Sequence, residues 1–106
     1  IEIDFSGRAE REETLHRAGR ILTDAGQIRC NCSTVVALCS IASGDMEAFV
    51  HTGLNPWDYA AGQIIVEEAG GKATRLDGGP LRLFDGQSGV LMSNGYSHQE
   101  ILSLLR

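Results

Sequence analysis

No stretch of this sequence gathers its Lys and Arg into a basic patch. Nine such residues are dispersed among fourteen Asp and Glu, for a formal net charge of -5. Binding nucleic acid by neutralising its phosphates is therefore disfavoured. An acidic surface also repels an anionic substrate unless a bound cation or a helix N-terminus intervenes. No apolar run approaches the roughly 18 residues that suggest a spanning helix, so no membrane partner is expected. Internal repeats and low-complexity tracts are absent, and no signal peptide is visible. The cysteines, Cys30, Cys32 and Cys39, are odd in number. Reduced thiols and a cytoplasmic location are the expectation. There is no initiating Met: Ile1-Glu2-Ile3-Asp4-Phe5 starts inside a strand-like alternation and reads as a cut edge.

What is present fits one small ordered domain with a modest core: 106 residues, 42% hydrophobic and 22% charged. Ile1–Phe5 has the period of a strand, and Ser6-Gly7 breaks it. Residues 8–25 read as a helix with Leu15, Ala18, Ile21, Leu22 and Ala25 on one stripe, stopped by Gly26. Glu12/His16 and Glu13/Arg17 are spaced for pairing on its wet side. Residues 28–30 suit a short strand. Ser33–Ser43 is apolar nearly all round, which predicts a helix buried on most sides, ended by Gly44. Met46–Val50 reads as a strand. Asn55-Pro56-Trp57-Asp58 is a helix start, with Asn as N-cap, Pro at the first position and Asp in the first turn. Trp57, Ala60, Ala61, Ile64 and Ile65 follow on one face, and Gly70-Gly71 closes the helix. Lys72–Leu76 and Gly89–Met92 read as strands on either side of the turn region at Asp77-Gly78-Gly79-Pro80. Ser97–Glu100 fits a capping box for a last amphipathic helix. The expected fold class is α/β, a layered sandwich with a mixed sheet of about five strands covered by helices. The sheet is mixed because no helix separates the last two strands.

Four features have chemical potential. Asp58 is either a first-turn carboxylate offsetting the helix dipole or a metal ligand at the edge of a cleft. Alone it cannot make a magnesium site, and no Asp-x-x-Asp lies nearby. Asn31-Cys32-Ser33-Thr34 opens a helix, so its backbone N–H groups either meet capping side chains or a ligand's oxygens. Cys30-x-Cys32 with Cys39 has narrower spacing and fewer ligands than most zinc sites, and Cys39 reads as core. His51 suits a solvated strand end, and His16 and His98 suit helix surfaces.

Pro56-Trp57-Asp58-Tyr59-Ala60-Ala61-Gly62, followed by Glu67-Glu68-Ala69-Gly70-Gly71, resembles the C-terminal signature of the inositol monophosphatase family. The family pattern is roughly Trp-Asp-x-Ala-Ala/Gly-Gly/Ala, then Glu-Ala-Gly-Gly. The match runs back to Arg29 and forward through Ser93-Asn94-Gly95. The resemblance implies the C-terminal half of a layered sugar-phosphatase fold and a Mg2+-dependent phosphomonoesterase. Its substrate would be a small phosphorylated polyol or sugar, and family members are commonly homodimers. Asp58 matches the family's metal-binding Asp, which also lies by the substrate. Cys32, Ser33 and Thr34 match a substrate-contacting triplet that usually begins with Gly. His51 matches a ring-contacting position that is usually acidic. The family's Asp-Pro-x-Asp-Gly metal block is not in this chain. No residue here is therefore assigned as catalytic, and residues 1–106 alone are expected to be inactive. Rival readings are a histidinol-phosphate or nucleotide 3′(2′)-phosphatase, or a non-catalytic α/β binding or dimerisation domain.

Overall fold

In the computed structural model, which describes residues 1–5 and 7–106, four strands form one mixed sheet. Ser6, half of the expected break, lies outside the described residues. The strands are β1 (Glu2–Asp4), β2 (Ala48–Leu54), β3 (Lys72–Arg75) and β4 (Ser88–Ser93), in the spatial order β1-β2-β4-β3. β1 runs parallel to β2, and β4 is antiparallel to both β2 and β3. A parallel pair needs a long crossover. Helices α1 (Arg11–Asp24) and α2 (Thr34–Ser43) supply it, and α3 (Pro56–Glu68) and α4 (His98–Leu105) follow β2 and β4.

The period of two in β2 and β4 divides the interior. Phe49, Val90 and Met92 pack with Ala37, Leu38 and Ile41 of α2 and with Tyr59 and Val66 of α3. Ile3, Ala48, Val50 and Leu91 pack on the other side with Ile21 of α1 and Ile101, Leu102 and Leu105 of α4. The sheet is thus covered on both faces, which is why β2 and β4 are apolar at successive positions.

Several expectations are corrected. The segment 28–30 is not a fifth strand. It contributes one parallel bridge, Arg29 to Glu2, closed by Ile3 N–H to Arg29 O at 2.9 Å and Arg29 N–H to Ile1 O at 2.8 Å. The pairing stops there because Cys32 turns left-handed, with φ of 57°. On α1 only Thr14 and Ile21 are buried, and Leu15 and Leu22 are exposed. The Glu13–Arg17 pair does form, at 2.6 Å. Ser97 does not cap α4; its hydroxyl donates to Glu47 Oε1 at 2.6 Å.

The middle helices differ most. α2 leaves Val35, Val36 and Cys39 exposed, and α3 leaves Trp57, Ile64 and Ile65 exposed. The inward stripe of α3 is Tyr59, Gly62 and Val66, at helical spacing. Gly62 decides this. A Cβ there would stand 2.2 Å from Leu38 Cδ1, so the Leu38 side chain of α2 packs onto α3 where α3 has no side chain of its own. The larger apolar residues are left facing away from the sheet.

His98 is buried, not on the surface, at 1% exposure. Thr74 donates its hydroxyl to Arg75 O, so it accepts from His98 Nε2–H at 2.9 Å. Ser93 then donates to Nδ1 at 2.7 Å and accepts from Gly95 N–H. This network fixes the neutral Nε2–H tautomer and ties β3, β4 and α4 together. Burial, helped by the charge of Lys72, holds the His98 pKa below its ordinary value. In the unfolded chain the ring takes up a proton near pH ~6.5. The unfolded state then binds more protons than the folded one, so stability is fully present above that pH. It is lost as pH falls through the histidine range toward the lowered folded value. His51, treated below, acts in the same direction. Urea denaturation across a pH series should show a falling midpoint on acidification, and His98→Gln should flatten the slope while lowering stability at neutral pH.

Candidate functional site

Ligands in open α/β sheets bind beyond the carboxyl ends of parallel strands. Here that edge is where β1 ends at Asp4, beside its register partner His51 on β2. The turn 31–33 crosses the same edge. Glu2 and Asp4, both buried, hold it. Asn31 N–H donates to Glu2 Oε1 at 3.3 Å, and Cys32 N–H donates to Asp4 Oδ1 at 3.2 Å. Burial raises the Glu2 pKa, the neighbouring Asp4 adds to the rise, and the Asn31 bonds oppose it. Strand-like alternation places both acids on a wet side; their partners lie 28 or 29 positions away, beyond the reach of any local pattern.

Cys32, Ser33 and Thr34 lead into α2. Ser33 occupies the N-cap position, and its carbonyl accepts from Ala37 N–H at 3.0 Å. No side chain among the described residues caps this end. The capping reading of Ser33 and Asn31 therefore fails, and the first-turn N–H groups remain for other oxygens.

His51 lies within β2 at 5% exposure and is not a solvated strand end. Its Nδ1 accepts from Gly53 N–H at 3.0 Å, where the β2–β4 register shifts. Neutral imidazole has one acceptor nitrogen, and the backbone uses it. The proton then sits on Nε2. Burial lowers the His51 pKa, and the charges of Asp4, Asp58 and Glu10 oppose that fall. Those charges place Asp58 in the same electrostatic neighbourhood.

One residue, Asn55, separates β2 from α3. Asp58 stands in the first turn, half-buried, and its Oδ2 accepts from Asn55 N–H at 3.1 Å. The capping reading of Asp58 thus holds for one oxygen. Oδ1 makes no hydrogen bond to any described residue and remains available to a cation. The three cysteines are free and exposed, so Cys39 is not core, and it stands on α2 apart from the other two.

The model of the inositol monophosphatase family matches residues 2–106. The chain is 47% identical over 70 residues to the chloroplastic phosphatase IMPL1 of Arabidopsis thaliana, covering 66% of this chain and 18% of that protein. It is 38% identical over 104 residues to the fructose-1,6-bisphosphatase/inositol-1-monophosphatase of Thermotoga maritima, covering 97% and 36%. The solved Thermotoga maritima IMPase superposes with a TM-score of 0.85 at 30% identity, covering 98% of this chain and 39% of that one. The chain therefore spans well under half the length of these relatives.

Cys32 has a left-handed backbone, a conformation that favours glycine. A side chain in that conformation costs about 1–2 kcal/mol, partly offset in a glycine variant by added unfolded-state entropy of about 0.5–1 kcal/mol. Cys32→Gly should therefore raise stability by about 0.5–1 kcal/mol in urea denaturation. A loss of stability would mean that the Cys32 side chain makes a compensating contact.

Proposed function

The chain belongs to the inositol monophosphatase family, and from that premise we propose that it is the C-terminal portion of a magnesium-dependent phosphomonoesterase. The substrate class is a small phosphorylated polyol or sugar, with inositol monophosphate the type. The observation that carries this reading is Asp58. It is fixed at a helix start by one oxygen and open at the other, beside the edge that holds His51 and the turn 32–34.

Magnesium prefers one or two carboxylates with water and substrate phosphate completing its shell. A single Asp58 oxygen fits one such place, and the remaining ligands would come from the rest of the full-length protein. When bound, the metal would polarise the phosphate and activate water. The residues of this chain bind and orient. Asp58 holds the cation and lies by the substrate. Cys32, Ser33 and Thr34 line the start of α2 beside the substrate, where Ser33 and Thr34 offer backbone N–H groups to its oxygens while the Cys32 N–H is held by Asp4. His51 stands beside the ring of the substrate. Residues 1–106 alone are inactive in this reading. The exposed Val35, Val36, Trp57, Ile64 and Ile65 agree with a unit that is covered in the whole protein. We place that protein in the cytoplasm as a homodimer. No described helix is long and apolar enough to cross a membrane, and the acidic balance disfavours nucleic acid as a partner.

His51 favours a second reading of the substrate. With its acceptor nitrogen engaged by Gly53, it cannot accept a hydrogen bond from a sugar hydroxyl as an acidic side chain does. That weakens the case for inositol phosphate itself, and a histidinol phosphate or a nucleotide 3′-phosphate is the alternative substrate.

Two experiments on the full-length protein test these assignments. Asp58→Asn should lower kcat/KM with magnesium on the order of 100-fold or more; wild-type kinetics would reject the ligand role. His51→Glu should raise the kcat/KM ratio of inositol monophosphate to nucleotide 3′-phosphate by roughly 10-fold, since one unpaired polar group costs ~1–3 kcal/mol. An unchanged ratio across the substrate panel would remove His51 from the substrate site.

A further inference from the structure

Asp4, Cys30 and Cys32 bring one carboxylate oxygen and two sulfurs within 4.8 Å of one another, where β1 ends under the crossing turn. On an extended strand, residues i and i+2 share a face but lie roughly 6.6 Å apart. The left-handed turn at Cys32 draws these two together, and their sulfurs stand 3.9 Å apart. That is nearly twice the ~2.05 Å of a disulfide. It is close to the ~3.8 Å that separates two thiolates on a tetrahedral zinc with Zn–S bonds of ~2.3 Å.

The carboxylate supplies an independent observation. Asp4 is 2% exposed, and its Oδ1 is occupied by Cys32 N–H. Its Oδ2 is buried with no partner in hydrogen-bond geometry, and the neighbours that bear on the carboxylate are the Glu2 carboxyl and the Cys30 thiol. A buried acceptor is costly when nothing fills it. We propose that Asp4, Cys30 and Cys32 form a three-ligand site for a thiophilic divalent cation of the zinc class, with the fourth position open to water or another ligand.

Each thiol gives its proton to solvent as its sulfur–metal bond forms, so no oxidant or reductant is involved. Although Cys30 is exposed as a residue, its thiol is pushed up to about 12, first by partial burial of the sulfur and then by Asp4 and Cys32. Groups that each gain negative charge on ionising oppose one another, and a divalent cation reverses that opposition. Two other histidine-range or acidic candidates, His51 and Asp58, are not members of the trio. The proposal does not depend on the phosphatase reading.

The test uses reduced, metal-free full-length protein. Zn2+ titrated against a chromogenic chelator should bind and release protons, more tightly as pH rises. Co2+ should give a thiolate-to-metal charge-transfer band. Zn2+ should protect Cys30 and Cys32, but not Cys39, from alkylation read by mass spectrometry. Cys32→Gly, which relieves backbone strain, should lose the band and weaken zinc on the order of 100-fold, and Asp4→Asn on the order of 10-fold. Asp58→Asn should leave both unchanged. No thiolate band in the wild type, equal alkylation with and without zinc, or binding lost in Asp58→Asn but kept in Cys32→Gly would each overturn the proposal.

Discussion

The parallel pairing of β1 with β2 is the constraint on which the rest of this structure depends. β1 has only three residues, yet its direction forces the chain through a crossover before it can return beside itself. The crossover places α1 on one face of the sheet and α2 on the other. It also sets the end of β1 against the middle of β2, so Asp4 stands beside His51 and beneath the turn that opens α2. An antiparallel hairpin at this place would put no helix N-terminus over that edge.

The acids of β1 then act as fasteners. A carboxylate is a strong acceptor for backbone N–H groups, and Glu2 and Asp4 each take one from the crossing turn. They replace the ladder that a fifth strand at 28–30 would have provided. A single bridge at Arg29 followed by two side-chain contacts lets the chain leave the sheet within three residues. The left-handed residue at Cys32 is the conformational cost of that abrupt exit.

Much of this was legible in the sequence. Asn55-Pro56-Trp57-Asp58 announces a helix start through local chemistry alone, and the helix begins at Pro56. The strand positions of β2, β3 and β4 follow from short apolar runs, within two to four residues at their ends. The blocks around Asp58 and Gly70 carried the family. Sidedness was harder to read. The face of α3 turned toward the core was set by Gly62, whose contribution is an absence that no hydrophobic pattern registers. His98 was misplaced because its partners, Thr74 and Ser93, come from two different strands. The burial of Asp4 is hard to read from sequence for the same reason: acids in an alternating strand ordinarily face water, and its partner is a backbone group far along the chain.

The glycine-sized gap between α2 and α3 has a further consequence. Gly62 lies one helical turn beyond Asp58, and Leu38 lies one turn beyond Thr34. The two helix starts that frame the edge are thereby gauged against each other through the Leu38 side chain seated on the Gly62 backbone. A methyl group inserted there would act as a shim against Leu38, pressing on both helices at once. Residue 62 is in this sense a calibration screw: the spacing of α2 and α3 is tuned by an atom that is not there.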